Sequence, residues 1–245
     1  MVSITNNNEL NKIYKRVLIK ISGEALMGHN QFGIDAESIR NICHDIAEVF
    51  HLDYQVCLVV GGGNICRGAT MASEGIDRGT ADHMGMLGTV INGLALQDQL
   101  EKQGIRTRLQ SAITMTAVAE PCIRRRAIRH MEKNRIVIYS AGTGNPFFTT
   151  DTCAALRAAE TNCNLIIKGT QVDGVYCSDP KKNPNAQKYE TLTYRDVIVN
   201  EYNVMDPAAI SLARDSKIPI IVCNIHNRGS LARAIQHQGV FTLIS

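Results

Sequence analysis

Short apolar runs alternate with amphipathic stretches along this chain. The runs at 15–21, 56–60 and 136–139 are typical of buried strands, whereas 35–50 and 79–103 repeat apolar residues with the helical period. This alternation predicts a mostly parallel sheet with helices on both faces, a three-layer αβα sandwich. The pattern further predicts strands at 106–109, 164–168, 218–223 and 240–244, and helices at 118–133, 150–162, 193–201, 207–217 and 230–237.

The same pattern suggests how the chain is organised. Residues 1–13 are polar and rich in asparagine, so we expect a flexible tail, and the alternation of elements predicts a single domain over 14–245. A polar, loop-rich stretch occupies 178–188. We therefore expect two halves, about 14–165 and about 166–245, that share one sheet.

Composition excludes several classes of protein. The chain has 245 residues, 44% of them hydrophobic, which is enough for a sizeable core. Its formal net charge of +3 is too small to indicate nucleic-acid binding but is compatible with anionic substrates. Apolar runs are too short for a membrane helix and the N-terminus lacks the apolar core of a signal peptide. We therefore expect no membrane contact and a cytoplasmic location.

The eight cysteines include no C-x-x-C pair, so the spacing of a zinc site is absent. Several lie in apolar runs, where a free thiol packs like a small hydrophobic side chain, and this usage fits a reducing compartment. Cys66 lies beside a glycine-rich segment, where it is either a reactive thiol or, as we favour, a packing residue.

Two predicted strands end in glycine-containing loops. The run 56–60 leads into Gly61–Gly63, with Arg67 nearby, and the run 15–21 leads into Ser22–Gly23, with Lys20 beside it. Backbone amides in such loops carry fixed partial positive charge and bind anions. Ligands of parallel sheets bind beyond the carboxyl ends of the strands. The sequence therefore predicts two phosphate-bearing ligands held face to face.

Other common nucleotide and catalytic signatures are missing. There is no G-x-x-x-x-G-K-[ST] segment, which excludes a P-loop enzyme, and the segment after Gly61 fails the third glycine of G-x-G-x-x-G. The order of serine, histidine and aspartate residues indicates no triad.

Two charged residues allow a structural and a functional interpretation. Lys20 is either an edge-strand lysine that reaches solvent or a phosphate partner, and its place beside a glycine loop favours the second. Asp82 is either an acid in the first helical turn that complements the helix dipole or an acceptor for ribose hydroxyls, and the sequence does not separate these.

Three further segments carry candidate chemistry. The donor-rich segment 141–151 precedes a helix that Thr149 or Thr150 can cap, which favours ligand binding, and Asp151 can cap or hold a lysine. Segment 168–180 is either an ordinary hairpin or a nucleotide contact, in which Tyr176 stacks on a base and Asp179 binds a hydroxyl. The basic segment 124–129 lacks aromatic residues and favours a solvated or subunit-contacting face over nucleic-acid binding.

Taken together, these segments resemble the bacterial uridylate kinases of the amino acid kinase superfamily, from Tyr14 to Ile244. The segments that carry the resemblance are K-I-S-G-E-A-L from Lys20, F-G-I-D from Phe32, G-G-G-N from Gly61, R-G from Arg67, D-H-M-G-M-L from Asp82, G-T-G-N-P-F-F-T-T-D from Gly142 and V-D-G-V-Y from Val172.

The resemblance implies an amino acid kinase fold, unrelated to P-loop kinases, and transfer of the γ-phosphate of ATP to UMP in pyrimidine nucleotide synthesis. It implies dependence on Mg²⁺, held mainly by the nucleotide phosphates with no protein metal site. By the same resemblance the catalytic residues are Lys20, Arg67 and Asp151. The implied ATP contacts are Lys20, Ile21, Ser22, Gly23, Gly63, Arg67, Thr170, Tyr176 and Asp179, and the implied UMP contacts are Gly62, Asp82, Thr143, Gly144, Asn145, Pro146, Phe147, Phe148, Thr149 and Thr150.

The resemblance also implies a homohexamer that is inhibited by UTP and, in many members, activated by GTP. This chain departs from the family pattern at Gln171, where many relatives carry lysine, and at Gln97 and Glu101, where activated relatives often carry basic residues. Arg108 and Arg135 remain available. Because an acidic residue repels a triphosphate, we expect weak or absent activation by GTP.

Two alternatives stay open. The first is another kinase of the superfamily, acting on acetylglutamate, aspartate or carbamate, whose carboxylate acceptors need different recognition loops. The second is a non-catalytic nucleotide- or oxyanion-binding protein on the same scaffold, as molybdenum storage proteins are. Retention of Lys20, Arg67 and Asp151 together argues against the second.

Overall fold

A mostly parallel sheet organises the part of the chain that the computed structural model describes, residues 14–245 without Lys181, Pro184 and Asn203. The predicted tail at 1–13 lies outside the described residues. The sheet has nine strands in the order β4-β3-β5-β2-β1-β6-β10-β11-β9. Its strands are β1 (Arg16–Ile21), β2 (Gln55–Val60), β3 (Thr107–Ser111), β4 (Glu120–Pro121), β5 (Ile136–Ser140), β6 (Leu165–Thr170), β9 (Thr191–Leu192), β10 (Ile220–Asn224) and β11 (Thr242–Ile244).

Within this sheet only the pairing of β10 with β11 is antiparallel among the described residues. Strands β7 (Val175–Tyr176) and β8 (Lys188–Tyr189) form a separate hairpin in the loop-rich stretch after β6. The helices are α1 (Ala36–His51), α2 (Gly68–Ser73), α3 (Arg78–Lys102), α4 (Arg124–Glu132), α5 (Thr150–Glu160), α6 (Tyr194–Val199), α7 (Pro207–Asp215) and α8 (Ser230–Ile235), and a 3₁₀ turn spans Gly23–Leu26.

Alternation along the central strands separates two apolar cores. In β1, Val17, Ile19 and Ile21 pack into one core with residues of α1, α3 and α8. Leu18 points to the opposite core, which residues of α4, α5, α6 and α7 complete. Both faces of the sheet are therefore covered, and the predicted αβα sandwich is confirmed. No helix of the described chain is both long enough and apolar enough to cross a bilayer.

The helix starts follow ordinary capping chemistry. Asp35 accepts a hydrogen bond from the Ser38 amide at the start of α1, as the sequence indicates. Thr149, rather than Thr150, caps α5. Helix α3 begins one residue before its predicted start because Asp77 caps it.

The predicted helix at 118–133 is wrong in its first part. Glu120 and Pro121 form β4 and pair with β3, and the Cys122 amide continues the pairing by donating to Ser111 O at 3.0 Å. The residue before a proline is disfavoured in the helical region, so α4 begins only at Arg124. Helix α2, the 3₁₀ turn and strand β9 are too short to give a periodic signal, and the sequence did not predict them.

Candidate active site

Two lysines meet one carboxylate at the carboxyl ends of the central strands. Lys20 of β1 and Lys168 of β6 are partners in the parallel register. Lys20 Nζ lies 2.8 Å from Asp151 Oδ1, and Lys168 Nζ lies 2.8 Å from Asp151 Oδ2. Lys20 is 6% exposed on a strand flanked by β2 and β6, so the interpretation as an edge-strand lysine is wrong.

The first turn of α5 supplies this carboxylate. Burial opposes ionisation of Asp151, but the charges of Lys20 and Lys168 outweigh it and hold the pKa of the Asp151 carboxyl below its usual range. Burial lowers the pKa of Lys168, an effect that Asp151 opposes. Lys168 Nζ also donates to the carbonyl of Val204. A buried carboxylate therefore orients two amines toward one end of the sheet.

Close packing requires glycine at two positions of the loop after β2, with different neighbours at each. A Cβ on Gly62 would lie 2.4 Å from Gly85 O and 2.9 Å from Thr89 N, because α3 packs directly on the loop. A Cβ on Gly61 would lie 2.8 Å from Gly23 N, and the Gly61 amide already donates to Ile21 O at 2.8 Å. The expectation that all three amides of Gly61–Gly63 are available to a phosphate is therefore wrong for Gly61.

Gly63 has room that the protein does not fill. The nearest atom to a Cβ placed there is Arg67 Cγ at 3.7 Å, an ordinary contact distance. Protein packing thus does not explain this glycine, whereas close approach of a ligand to its backbone would.

Two buried asparagines hold the glycine loop after β2 in place. Asn64 and Asn92 exchange hydrogen bonds of 3.1 and 2.6 Å between their amide groups, and Asn92 Nδ2 donates to Gly61 O at 2.7 Å. Asn64 Nδ2 also donates to Gly33 O at 2.7 Å. Because each amide is paired inside the core, the network holds the glycine loop in one conformation.

A cavity of about 400 Å³ opens above this loop and collects residues predicted for both ligands. Its volume is in the range of small-molecule sites. Helix α3 contributes Arg78, Gly85, Met86 and Thr89 to its wall. Of the predicted residues, Gly62, Gly63, Arg67, Asp82, Phe148, Thr149 and Thr150 line it.

The cationic side of the cavity carries an ion pair. Arg67 Nη2 donates to Glu24 Oε1, and both side chains are partly exposed, at 54% and 39%. A surface pair of this kind contributes little to stability, so Arg67 can exchange Glu24 for a phosphate at small cost. Glu24 was not predicted as a site residue, and it lines the cavity.

Asp82 holds the loop that follows β5. Arg78 Nε donates to both of its oxygens at 3.0 Å, and the Phe147 amide donates to Oδ2 at 2.8 Å. Asp82 lies beyond the first turn of α3, so its interpretation as a first-turn acid is wrong. Ala141 and Phe147 have positive φ values of 59° and 70°, which shows a loop held in a conformation that side chains disfavour.

The rest of that loop lies outside the lining of the cavity, to which the loop contributes only Gly142 and Phe148. Thr143 Oγ1 accepts from the Asn145 amide at 3.2 Å, and Pro146 follows directly. Gly144 has a φ of 83°, and a Cβ there would lie 3.2 Å from Ala112. Phe147 is 71% exposed and Phe148 is 55% exposed. The loop thus presents two aromatic rings to solvent beside the cavity.

The start of α5 is bonded to the start of α7. Asp206 caps α7 by accepting from the Ala209 amide at 2.9 Å. It also accepts from the hydroxyls of Thr149 and Thr152. The two helix starts therefore share one carboxylate next to the Lys20–Asp151–Lys168 cluster.

The residues predicted for ATP divide into two groups. Ile21 is fully buried in a core, so only its backbone faces the strand end, and Ser22 O accepts from Ala25 N in the 3₁₀ turn. A Cβ on Gly23 would lie 2.5 Å from Asn64 Oδ1, which ties the two glycine loops together. These three residues adjoin Lys20.

The second group begins with Thr170, the last residue of β6, and like the first group it lies outside the lining of the cavity. Thr170 Oγ1 accepts from the Val172 amide at 3.0 Å. The Tyr176 hydroxyl donates to Asp173 Oδ1 at 2.5 Å, and this bond raises the pKa of Tyr176 to about 12. Asp179 O accepts from the amides of Lys182 and Asn183.

Sequence reasoning missed Lys168, Arg78, Asn92 and Asp206. Lys168 carried a usable signal, since it ends a predicted strand as Lys20 does. Asn92 is fully buried, whereas Leu87, Ile91 and Leu94, which set the apolar period of α3, are 40–50% exposed. Only its contacts with Gly61 and Asn64 reveal why Asn92 is polar. Cys66 has a pKa raised by burial, which favours its interpretation as a packing residue.

Comparison with known proteins agrees with this geometry. The model of the amino acid kinase family matches residues 15–224. The uridylate kinase of Rickettsia typhi is 58% identical over 231 residues, which cover 94% of this chain and 95% of that protein.

Solved structures give the same picture. The UMP kinase of Bacillus anthracis has a TM-score of 0.91 at 42% identity, covering 95% of this chain and 96% of the other. The UMP kinase of Ureaplasma parvum has a TM-score of 0.90 at 39% identity, covering 95% and 99%. Since both the family model and these relatives span most of its length, the chain belongs to the amino acid kinase family and, within it, to the uridylate kinases.

Proposed function

We propose that this enzyme transfers the γ-phosphate of ATP to UMP, giving UDP and ADP. The observation that carries the proposal is the convergence of Lys20 and Lys168 on Asp151, at the strand ends beside a cavity lined by residues of both predicted ligand sites. Membership of the uridylate kinases supports the choice of UMP as the acceptor.

UMP is placed on the side of the cavity formed by α3 and the loop after β5. Its phosphate is proposed to contact the backbone of Gly62 and Gly63, and Asp82 to accept from the ribose. The loop residues Thr143, Gly144, Asn145, Pro146, Phe147, Phe148, Thr149 and Thr150 are proposed to enclose the nucleoside. In this arrangement the hydrogen bond from the Phe147 amide to Asp82 sets the distance between α3 and the loop after β5.

ATP is proposed to bind on the side of β1 and β6, with the half of the chain from about residue 166 onward contacting its nucleoside. The backbone of Ile21, Ser22 and Gly23 adjoins Lys20 at the end of β1. Thr170, Tyr176 and Asp179 are proposed to contact the nucleoside. The two halves meet where β1 pairs with β6, so the phosphates of the two ligands point toward each other.

Charge neutralisation does most of the chemical work in this proposal. Phosphoryl transfer requires alignment and electrostatic stabilisation more than covalent catalysis. Lys20 is the proposed contact to the transferring group, with Arg67 as the second cation, while Asp151 holds the ammonium group in place. The acceptor is a phosphate oxygen, so no strong general base is needed.

The pairing of the carboxylates at the site indicates whether they are suitable ligands for Mg²⁺. Asp82 is bonded to Arg78, and Asp151 lies between Lys20 and Lys168. A carboxylate already neutralised by a cation is a poor ligand for a second one, so the proposal leaves Mg²⁺ to the phosphate oxygens of the nucleotides. When bound there, the ion would neutralise charge on the phosphates.

Assembly and regulation form a second part of the proposal. Leu87, Ile91 and Leu94 of α3 are 40–50% exposed and recur at helical spacing, which gives the helix an outward apolar face. Such a face supports the predicted homo-oligomer, for which we propose a hexamer. UTP, a product-like nucleotide, is proposed as the feedback inhibitor.

An assay that couples ADP formation to NADH oxidation tests the reaction. Purified protein with Mg²⁺ and ATP is expected to turn over with UMP and not with acetylglutamate, aspartate or carbamate. Turnover rates with CMP and with dUMP, measured separately, show how selective the enzyme is for the base and for the ribose. Activity with a carboxylate acceptor alone would identify a different kinase of the family, and folded protein with no acceptor activity would favour a binding protein.

A further inference from the structure

Two buried cysteines touch each other beneath the sheet. Cys57 Sγ of β2 lies 3.7 Å from Cys163 Sγ, just before β6, and these are the only two cysteine sulfurs that interact directly among the described residues. Sulfurs at this separation are in van der Waals contact, and a disulfide bond would bring them to about 2 Å. Bond formation therefore requires the two sulfurs to approach each other by about 1.7 Å.

The position of Cys163 brings the pair close to the surface. Cys57 is fully buried, whereas Cys163 retains 5% exposure. Asn162 and Asn164, on either side of it, are exposed. Cys163 thus lies directly under the surface, with Cys57 behind it.

The surroundings of the pair favour a reactive sulfur at Cys163. Burial opposes ionisation, but hydrogen bonds from Cys57 and Thr161 and the charge of Arg16 outweigh it and hold the pKa of Cys163 below its usual range. Burial and the contact with Cys163 raise the pKa of Cys57. The two thiols share one contact, and the neighbouring charge of Arg16 favours a thiolate at Cys163.

We infer that Cys57 and Cys163 form an oxidisable dithiol, a modification site that a peroxide converts to an intramolecular disulfide. The Cys163 thiolate attacks one oxygen of hydrogen peroxide, the O–O bond breaks, and a sulfenic acid and hydroxide form. Cys57 sulfur then attacks the Cys163 sulfur, the S–S bond forms, and the S–O bond breaks. The thiol protons leave in two water molecules, and the peroxide takes up two electrons.

The bond would link β2 to the segment that leads into β6. Cys57 lies on β2, which leads into Gly61–Gly63. Cys163 lies just before β6, the strand that carries Lys168. Strand β1 lies between β2 and β6. In a reducing compartment such a bond is transient, formed under oxidative stress and reversed by thiols.

Peptide mapping of oxidised protein tests this inference. Folded protein carrying Cys177→Ser, which removes an exposed thiol, is treated with hydrogen peroxide, alkylated in denaturant and digested without reductant. We expect a linked peptide pair containing Cys57 and Cys163, an intact mass lower by two hydrogens, and full reversal by dithiothreitol. Sulfinic acids without the link, or a link between other cysteines, would overturn the inference.

Matched variants and an unfolded sample complete the test. In Cys163→Ala the link should vanish and Cys57 should remain alkylatable, while Cys223→Ala, which removes a buried thiol on β10, should keep the link. The map of the Cys177→Ser protein stands on its own if Cys163→Ala does not fold. Protein oxidised in denaturant should give mixed pairings, and the same mixture from folded protein would count against the inference.

Discussion

Lys20 and Lys168 lie opposite each other on adjacent parallel strands and bind the two oxygens of the same carboxylate. The arrangement follows from strand alternation. Leu18 and Ile166 point to the core beside α5, and each lysine lies two residues further along its strand, on the same face. Asp151, in the first turn of α5, is the group that both amines meet.

Lys20→Ala is expected to abolish most turnover while changing the KM for UMP little. The ammonium group is proposed to contact the transferring phosphoryl group, so its loss weakens the transition state more than the bound substrate. Initial rates at varied UMP, with ATP saturating, separate the two effects. Lys102→Ala, which removes an exposed lysine of α3 paired with Asp98, is the matched control and should behave as the parent. Turnover near the parent level in Lys20→Ala would show that the assignment of Lys20 is wrong.

Asp151→Asn is expected to lower both stability and turnover. Removing the charge leaves two buried amines without their counter-ion, which costs about 3–5 kcal/mol of unfolding free energy. Urea denaturation measures the loss, and Asp215→Asn, at an exposed position beside Arg214, should change it little.

The stability effect of Asp151 should depend on pH in a defined direction. Its folded pKa is lowered, so its contribution is fully present above the unfolded value and is lost as pH falls through the folded value. The difference in unfolding free energy between the parent and Asp151→Asn should be constant above about pH 5 and narrow in more acidic buffer. A difference that widens on acidification would contradict the ion-pair account.

Gly62→Ala and Gly63→Ala should fail for different reasons. The new methyl group at Gly62 meets backbone atoms of Gly85 and Thr89, so we expect a loss of stability of about 1–3 kcal/mol or more. At Gly63 the protein leaves room, so the variant should unfold like the parent but bind nucleotide more weakly. Thermal unfolding and substrate titration together distinguish the two. Parent-like kinetics in Gly63→Ala would show that the assignment of Gly63 to the ligand site is wrong.

GTP is expected to activate the enzyme weakly or not at all. Glu101 remains an acidic group near the end of α3, where it accepts from Thr107 Oγ1 at 2.7 Å, and Gln97 Nε2 donates to the same threonine hydroxyl at 3.1 Å. A carboxylate there opposes a bound triphosphate. Initial rates with and without GTP, at low UMP, check this. A several-fold stimulation would refute it.

Much of the fold could be predicted because the strands and long helices bury regular apolar patterns. The two-residue strands β4 and β9 and the short helix α2 give no period to read, and tertiary contacts determine them. Pro121 gave a usable warning against a continuous helix at 118–133.

Individual residues of the candidate site could be predicted from the sequence, but the contacts between them could not. Lys20, Arg67 and Asp82 could be selected because charged residues next to glycine loops suggest ligand chemistry. The meeting of Lys20 and Lys168 on Asp151 depends on strand register, which the sequence does not give. The i,i+4 pair of Arg78 and Asp82 requires the start of α3, which the sequence placed one residue late. The glycines show the same limit, because only the position of α3 reveals that Gly62 is required for packing.

The carboxylate of Asp206 joins the beginnings of α5 and α7 through three hydrogen-bond donors. Helix ends fastened in this way cannot separate without exposing several unpaired polar groups. Asp151, in the first turn of α5, is therefore anchored through α7 as well as through its two lysines.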